Sequence, residues 1–168
     1  LNRFRWDMRH RGSWDKDENK SFKNGPLVCP GKYKAVLSLG EKKLETEFII
    51  SKDPKLSVSN QDLRNLELFQ LKVIEKISEA KNLENKIEKM LSEKKLNKRD
   101  KNLVLKVQED MTTKEGTYMQ PMLVAQYNYL YSMLSRSDQE IGNDAHLRLN
   151  ELNERLEKNK KIINSISP

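Results

Sequence analysis

A chain of 168 residues with 34% charged residues, 36% hydrophobic residues and a mean hydropathy of -0.86 has room for one domain or two small ones. No apolar run approaches the roughly 18 residues of a membrane span, so no such span is expected. The net charge is +7; 13 Lys/Arg against 8 Asp/Glu put +5 of it in residues 1–55. The basic residues are scattered among acids, with no block of five or six like charges, so no coherent nucleic-acid face is expected.

Residues 1–9 alternate Phe4, Trp6 and Met8 with Arg3, Arg5, Asp7 and Arg9. A period of two predicts a strand with one apolar face and makes Trp6 a core anchor. A chain that opens inside a strand is expected to be the tail of something longer. Asp7 is the one acid embedded in this aromatic segment, flanked by Arg5 and Arg9. A structural ion pair or a charged strand edge is the expectation for it, ahead of a catalytic carboxylate.

Residues 12–25 read as an exposed loop, rich in Gly, Ser, Asp and Asn. Pro26 and Pro30 then bar a central helix, and Pro30-Gly31 favours a tight turn. Tyr33, Ala35, Leu37 and Leu39 share one face of a strand. Gly40 turns the chain, and Leu44, Thr46, Phe48 and Ile50 alternate along a return strand, so a hairpin is expected. Such a hairpin is marginal alone and has to lean on the helices that follow or on strands upstream. Cys29 is the only cysteine, which excludes an internal disulfide. A small buried hydrophobe is the expectation for it rather than a nucleophile, since His10 and His146, the only histidines, sit in no motif. Neither histidine has zinc-ligand spacing, and neither a metal nor another cofactor is expected.

The pattern turns helical after Asp53-Pro54. Ser59 is a good N-cap with Asp62 three residues on. Leu63, Leu66, Gln70, Val73, Ile77 and Ala80, then Ile87 and Met90, trace a stripe to about residue 95. Asn82 and Asn85 are places for a bend. A second helix over about 99–112 turns Leu103, Val104, Val107 and Met111 inward. A third has Pro121 in its first turn and Leu123, Tyr127, Leu130 and Leu134 on its stripe. Tyr129 and Tyr131 fall off that stripe and are free to cover the sheet or a neighbouring domain. A fourth spans about 143–166, lined by Ala145, Leu149, Leu152, Leu156, Ile163 and Ile166. Short connections favour an antiparallel bundle. The expected fold class is α+β: residues 1–55 a small, incomplete Ig-like antiparallel sheet, and residues 56–168 a bundle of about four helices.

Three groups of residues together carry a resemblance. The first is Asn2, Arg3, Phe4, Trp6, Asp7, Met8 and Arg9. The second is Gly25, Pro26, Pro30, Gly31 and Tyr33. The third is Phe48 with Asp53, Pro54 and Lys55. The set resembles the C-terminal region of large secreted bacterial proteins with sortilin-like or sialidase-type (BNR) β-propeller repeats, often labelled glycosyl hydrolases. Met8 stands where that pattern has Leu, and Lys55 where it has Arg. The stretch from Gln120-Pro121-Met122-Leu123 to Tyr129-Leu130 looks similar too, and P-G-x-Y hairpins also occur in Ig-like tails resembling the flagellar hook-cap type. The resemblance implies a β module with helices, C-terminal to a propeller, in a secreted or cell-envelope protein. It implies an upstream propeller of the same polypeptide as partner, and cell-envelope proteins or glycans beyond it. It carries over no catalytic residue, because the sialidase Asp-box is not in this sequence. The expected function is a non-catalytic accessory module. One alternative is a part of a sialidase-like glycoside hydrolase whose active site lies mainly in the upstream propeller, this chain contributing carboxylates or aromatics, with two close acids expected near Trp6. The other is an anionic-surface or nucleic-acid binder whose affinity collapses with salt.

Overall fold

The computed structural model describes residues 3–93 and 96–166. Strands β1 (Gly31–Leu39) and β2 (Lys42–Ile50) form an antiparallel hairpin, and helices α1 (Asn60–Glu93), α2 (Lys98–Met111), α3 (Leu123–Leu134) and α4 (Asn143–Ile166) follow. The class is α+β, a small antiparallel sheet followed by four helices.

Two of the helix starts share one device. Ser59 Oγ accepts the Asp62 amide at 3.0 Å and donates to Asp62 Oδ2 at 2.6 Å. Asn97 repeats this ahead of α2, accepting the Asp100 amide at 2.9 Å and donating to Asp100 Oδ2 at 2.7 Å. A short acid three residues after the cap answers the cap side chain and the positive helix end together. The third helix starts later than its proline suggests. Met122 is the extended N-cap, so Pro121 lies outside α3, where its carbonyl accepts from Gln126 Nε2 at 2.6 Å. Neither Asn82 nor Asn85 interrupts α1, which is continuous for 34 residues, about 50 Å.

The bundle core is the stripe set. Val73, Ile77, Ala80, Val104, Met111, Leu123, Tyr127, Leu152, Leu156 and Ile163 are fully buried or nearly so. Cross-helix bonds give the directions. Phe69 meets His146, Glu79 meets Lys160 and Lys86 meets Asn164, so α4 runs the same way as α1. Thr112 reaches Glu84 and Gln70 reaches the Leu134 carbonyl, so α2 and α3 run in series back along α1. Gln70, polar and buried on an apolar stripe, donates that bond at 2.9 Å and satisfies the C-terminal end of α3.

On the α2–α4 side, Arg155 Nη2 and Asn159 Nδ2 donate to the two oxygens of Asp110, each at 2.7 Å. Burial works to raise the Asp110 carboxyl, but these donors outweigh it and hold it below its ordinary value. A depressed carboxylate stabilises the fold above its unfolded pKa, and that contribution is lost as pH falls through the folded value. Asp110→Asn should therefore flatten the acid limb of a urea-stability profile below about pH 4. It should cost under about 1 kcal/mol at pH 7, because the pair is about one-third exposed and screened.

The expected first strand is not one. Only Arg9, bridged antiparallel to Leu27, has strand pairing, and residues 3–7 are irregular. Met8 has φ of 58°, a left-handed turn that no strand continues through. The turn is closed locally: Asp7 Oδ1 accepts the Arg9 amide at 3.1 Å, and Trp6 Nε1 donates to the Arg9 carbonyl at 2.9 Å. The alternation is real, but it serves a bent segment lying against the hairpin. Trp6 is 40% exposed rather than a core anchor. Trp6→Ala should accordingly cost only about 1 kcal/mol of hairpin stability and leave the helical melting transition in place, as hairpin exchange and circular dichroism would show.

Candidate functional site

The strand register sorts the hairpin into two unlike faces. Tyr33 pairs with Phe48, Ala35 with Thr46 and Leu37 with Leu44, and Leu39 lies beyond them on the same side. The opposite face pairs Lys34 with Glu47, Val36 with Glu45 and Ser38 with Lys43. This is the pattern of a sheet with one face in water and one against a second layer. The second layer is present only at the base. There the Trp6 ring lies 5.9 Å from Tyr33 and 6.2 Å from Phe48, centroid to centroid. Toward the tip, Leu37 is 65% exposed, Leu44 70% and Leu39 77%. Among the described residues, neither strand packs along a helix.

A loop of residues 10–29 ties this hairpin to α1. Trp14 donates its amide to Ser78 Oγ at 3.0 Å, Asp15 pairs with Lys81 at 2.8 Å and Lys16 with Glu88 at 2.7 Å. Tyr131 donates to the Asn24 carbonyl at 2.8 Å, so this off-stripe tyrosine covers the loop. Nearest the hairpin, Glu67 Oε1 takes His10 Nε2 at 2.7 Å and the Cys29 amide at 3.0 Å. Tyr33 donates to the Cys29 carbonyl at 2.6 Å, which links the same point to β1. Burial and the Glu67 carboxylate both push the buried Cys29 thiol up. A thiolate nucleophile needs the reverse, so Cys29 is a packing residue with its backbone engaged.

The residues of the resemblance fall at the joints of this assembly. Asp7 caps the Met8 turn, and Arg9 Nη1 donates to the Gly25 carbonyl at 2.9 Å. Gly25 lies against the His10 backbone where a Cβ would overlap the carbonyl, and the buried Pro26 accepts the His10 amide at 2.9 Å. Pro30 and Gly31 lead into β1. Asp53 closes the turn at Pro54, accepting the Lys55 amide at 2.9 Å and the Leu56 amide at 3.0 Å. Arg3 and Phe4 are exposed, and Asn2 lies outside the described residues. Asp7 is thus engaged by the Arg9 backbone amide rather than by the Arg5 or Arg9 guanidinium, and the rings of Tyr33 and Phe48, not paired carboxylates, surround Trp6.

Glu67 was not visible as a site residue in the sequence. Its signal was slight: a carboxylate four residues after Leu63 and beside Leu66, on the flank of an apolar stripe. Two grooves were equally unannounced. The larger, about 590 Å³, lies between α3, α4 and residues 139–142, with Tyr129, Met133 and Ile141 on its walls and Arg148 at its rim. The smaller, about 240 Å³, lies between the hairpin base and α1 and includes Cys29, Ile50, Leu56 and Glu67. Among the described residues no group of three His, Cys, Asp or Glu could hold a metal ion, and no helix is long and apolar enough to cross a membrane. Comparison of the chain with family models, curated proteins and solved structures gives no match.

Proposed function

We propose that this chain is a non-catalytic accessory module whose hairpin docks on a preceding domain of the same polypeptide. The observation that carries the reading is the apolar face that is covered by Trp6 at its base and bare at Leu37, Leu39 and Leu44. Covering one such side chain is worth about 1.5–3 kcal/mol, which gives the face a strong preference for a second layer. The occupant follows from the path of the chain. The segment that covers the base is the N-terminal one, and Phe4, two residues before Trp6, is 90% exposed. A domain preceding this segment in the chain would therefore be joined to it beside that face.

The resemblance supplies the kind of domain, a BNR or sortilin-like β-propeller, and with it a secreted or cell-envelope setting. In that arrangement any glycoside hydrolysis belongs to the propeller, and the helical bundle is free to meet envelope proteins or glycans. The test is hydrogen exchange on this chain alone and on the chain joined to the polypeptide encoded upstream. The amides of Leu37, Leu39 and Leu44 should slow at least about tenfold in the longer protein, and Leu37→Asp with Leu44→Asp should abolish that protection. Unchanged exchange in the longer protein, or a locus that encodes no upstream domain, would overturn the reading.

A further inference from the structure

We propose that the hairpin is a hinged arm and that the carboxylate of Glu67 is the pin that sets its direction on the bundle. The hairpin has two legs. The outgoing leg, residues 51–59, is a linker whose side-chain bonds before the Ser59 cap of α1 are internal, Lys52 Nζ to the Val58 carbonyl and the Lys55 amide to Asp53 Oδ1, each 2.9 Å. The incoming leg is a two-ply ribbon in which residues 8–10 pair with 26–28, through His10 to Pro26 and Val28 to Met8, each 2.9 Å. Both plies end on one oxygen atom of α1. His10 holds Glu67 Oε1 from one ply and the Cys29 amide holds it from the other. The remaining ties between the loop and the helices, at Trp14, Asp15, Lys16 and Asn24, lie on the stretch of loop between the two plies. Beside the pin, the cavity of about 240 Å³ separates the hairpin base from α1, so the arm has space to swing once the pin is drawn.

The chemistry of the pin makes it releasable. The groups facing Glu67 are His10 and Cys29 from the loop, with Tyr33 from β1 beyond Cys29. Arg64 lies one turn back on α1, and Lys52, Asp53 and Asp138 line the neighbouring cavity. His10 Nε2 can donate to a carboxylate as imidazole or imidazolium, so the contact needs the charge on Glu67 more than a charge on His10. Burial works to raise the Glu67 carboxyl, and the hydrogen bonds from Cys29 and His10 outweigh it and hold it below its ordinary value. The pin is therefore in place above the ordinary glutamate range and drawn as pH falls below that range through the lower folded value.

Residual dipolar couplings on the whole chain test this. At pH 7 the hairpin and bundle amides should fit one alignment tensor. In Glu67→Leu at pH 7 the hairpin couplings should shrink at least about twofold and require their own tensor, while bundle couplings and helical circular dichroism stay as they were. Glu67→Gln, which keeps an acceptor for the Cys29 amide, should fall between the two. The native chain taken below pH 4 should show the same separation before its helices melt, which decides the matter if Glu67→Leu does not fold. A single tensor in Glu67→Leu, or one that persists in acid until the helices are lost, overturns the hinge. Either result leaves the docking of the hairpin's apolar face a separate question, since protection of Leu37 and Leu44 is read at pH 7 with the pin intact.

Discussion

Replacing Tyr127 with alanine is expected to lower the stability of the bundle by about 4 kcal/mol, the largest effect of any single change considered for this chain. Tyr127 is fully buried where α3 meets α4, and its hydroxyl donates to Asn153 Oδ1 at 2.8 Å. Burial pushes its phenol up, with the charges of Glu79 and Glu157 adding to that, so the group stays a neutral donor throughout the working pH range. Truncation removes a ring that touches two helices and leaves a void that the rigid stripes around it cannot close. Urea denaturation read by circular dichroism should show the midpoint fall with little change of slope. Tyr127→Phe separates the two contributions. It keeps the ring, leaves Asn153 without its donor, and should cost about 1 kcal/mol.

Gly25→Ala is expected to cost roughly 2–4 kcal/mol locally and to part the two plies of the loop at Glu67 without melting the helices. A Cβ at Gly25 would overlap the His10 carbonyl, a backbone atom that moves only if the two plies part. Parting them removes the His10 to Pro26 and Val28 to Met8 bonds and carries His10 off Glu67. Exchange protection over residues 8–10 and 26–28 should collapse while the amides of α1 remain slow. Gly31→Ala is the control. A Cβ there meets only a Tyr33 ring carbon at 3.7 Å, so it should be close to neutral.

The helices were legible because each has a stripe that only packing explains. Leu123, Tyr127, Leu130 and Leu134 are all buried, as their spacing requires, and the start of α1 follows from Ser59, whose side chain answers the first turn; the matching cap at Asn97 came only with the structure. The hairpin was legible from its alternation and Gly40, which has a positive φ of 58° in open space. Residues 3–8 were not. Alternation there satisfies a strand and a bent aromatic segment equally, and the choice is made by Asp7 and Trp6 bonding back to Arg9, a local closure that periodicity does not register. Glu67 was hidden for a different reason. Its partners His10 and Cys29 lie 57 and 38 residues away, and nothing in the spacing of any of the three announces the other two. The same holds for the serial arrangement of α2 and α3, which depends on Gln70 and Thr112 reaching across helices.

The hairpin also has two open sides. Each nine-residue strand is bonded along one side only, and neither contains a proline. A row of free amides and carbonyls beside a bare leucine patch is a template for any extended chain, including another copy of the same hairpin. Lys32, Lys42 and Lys43 oppose such self-association by charge repulsion, an opposition that salt weakens, while Lys34 is neutralised by Glu45 at 2.8 Å. An isolated chain at high concentration and high ionic strength is thus poised to grow edge to edge. The lysines act as gatekeepers against that self-pairing.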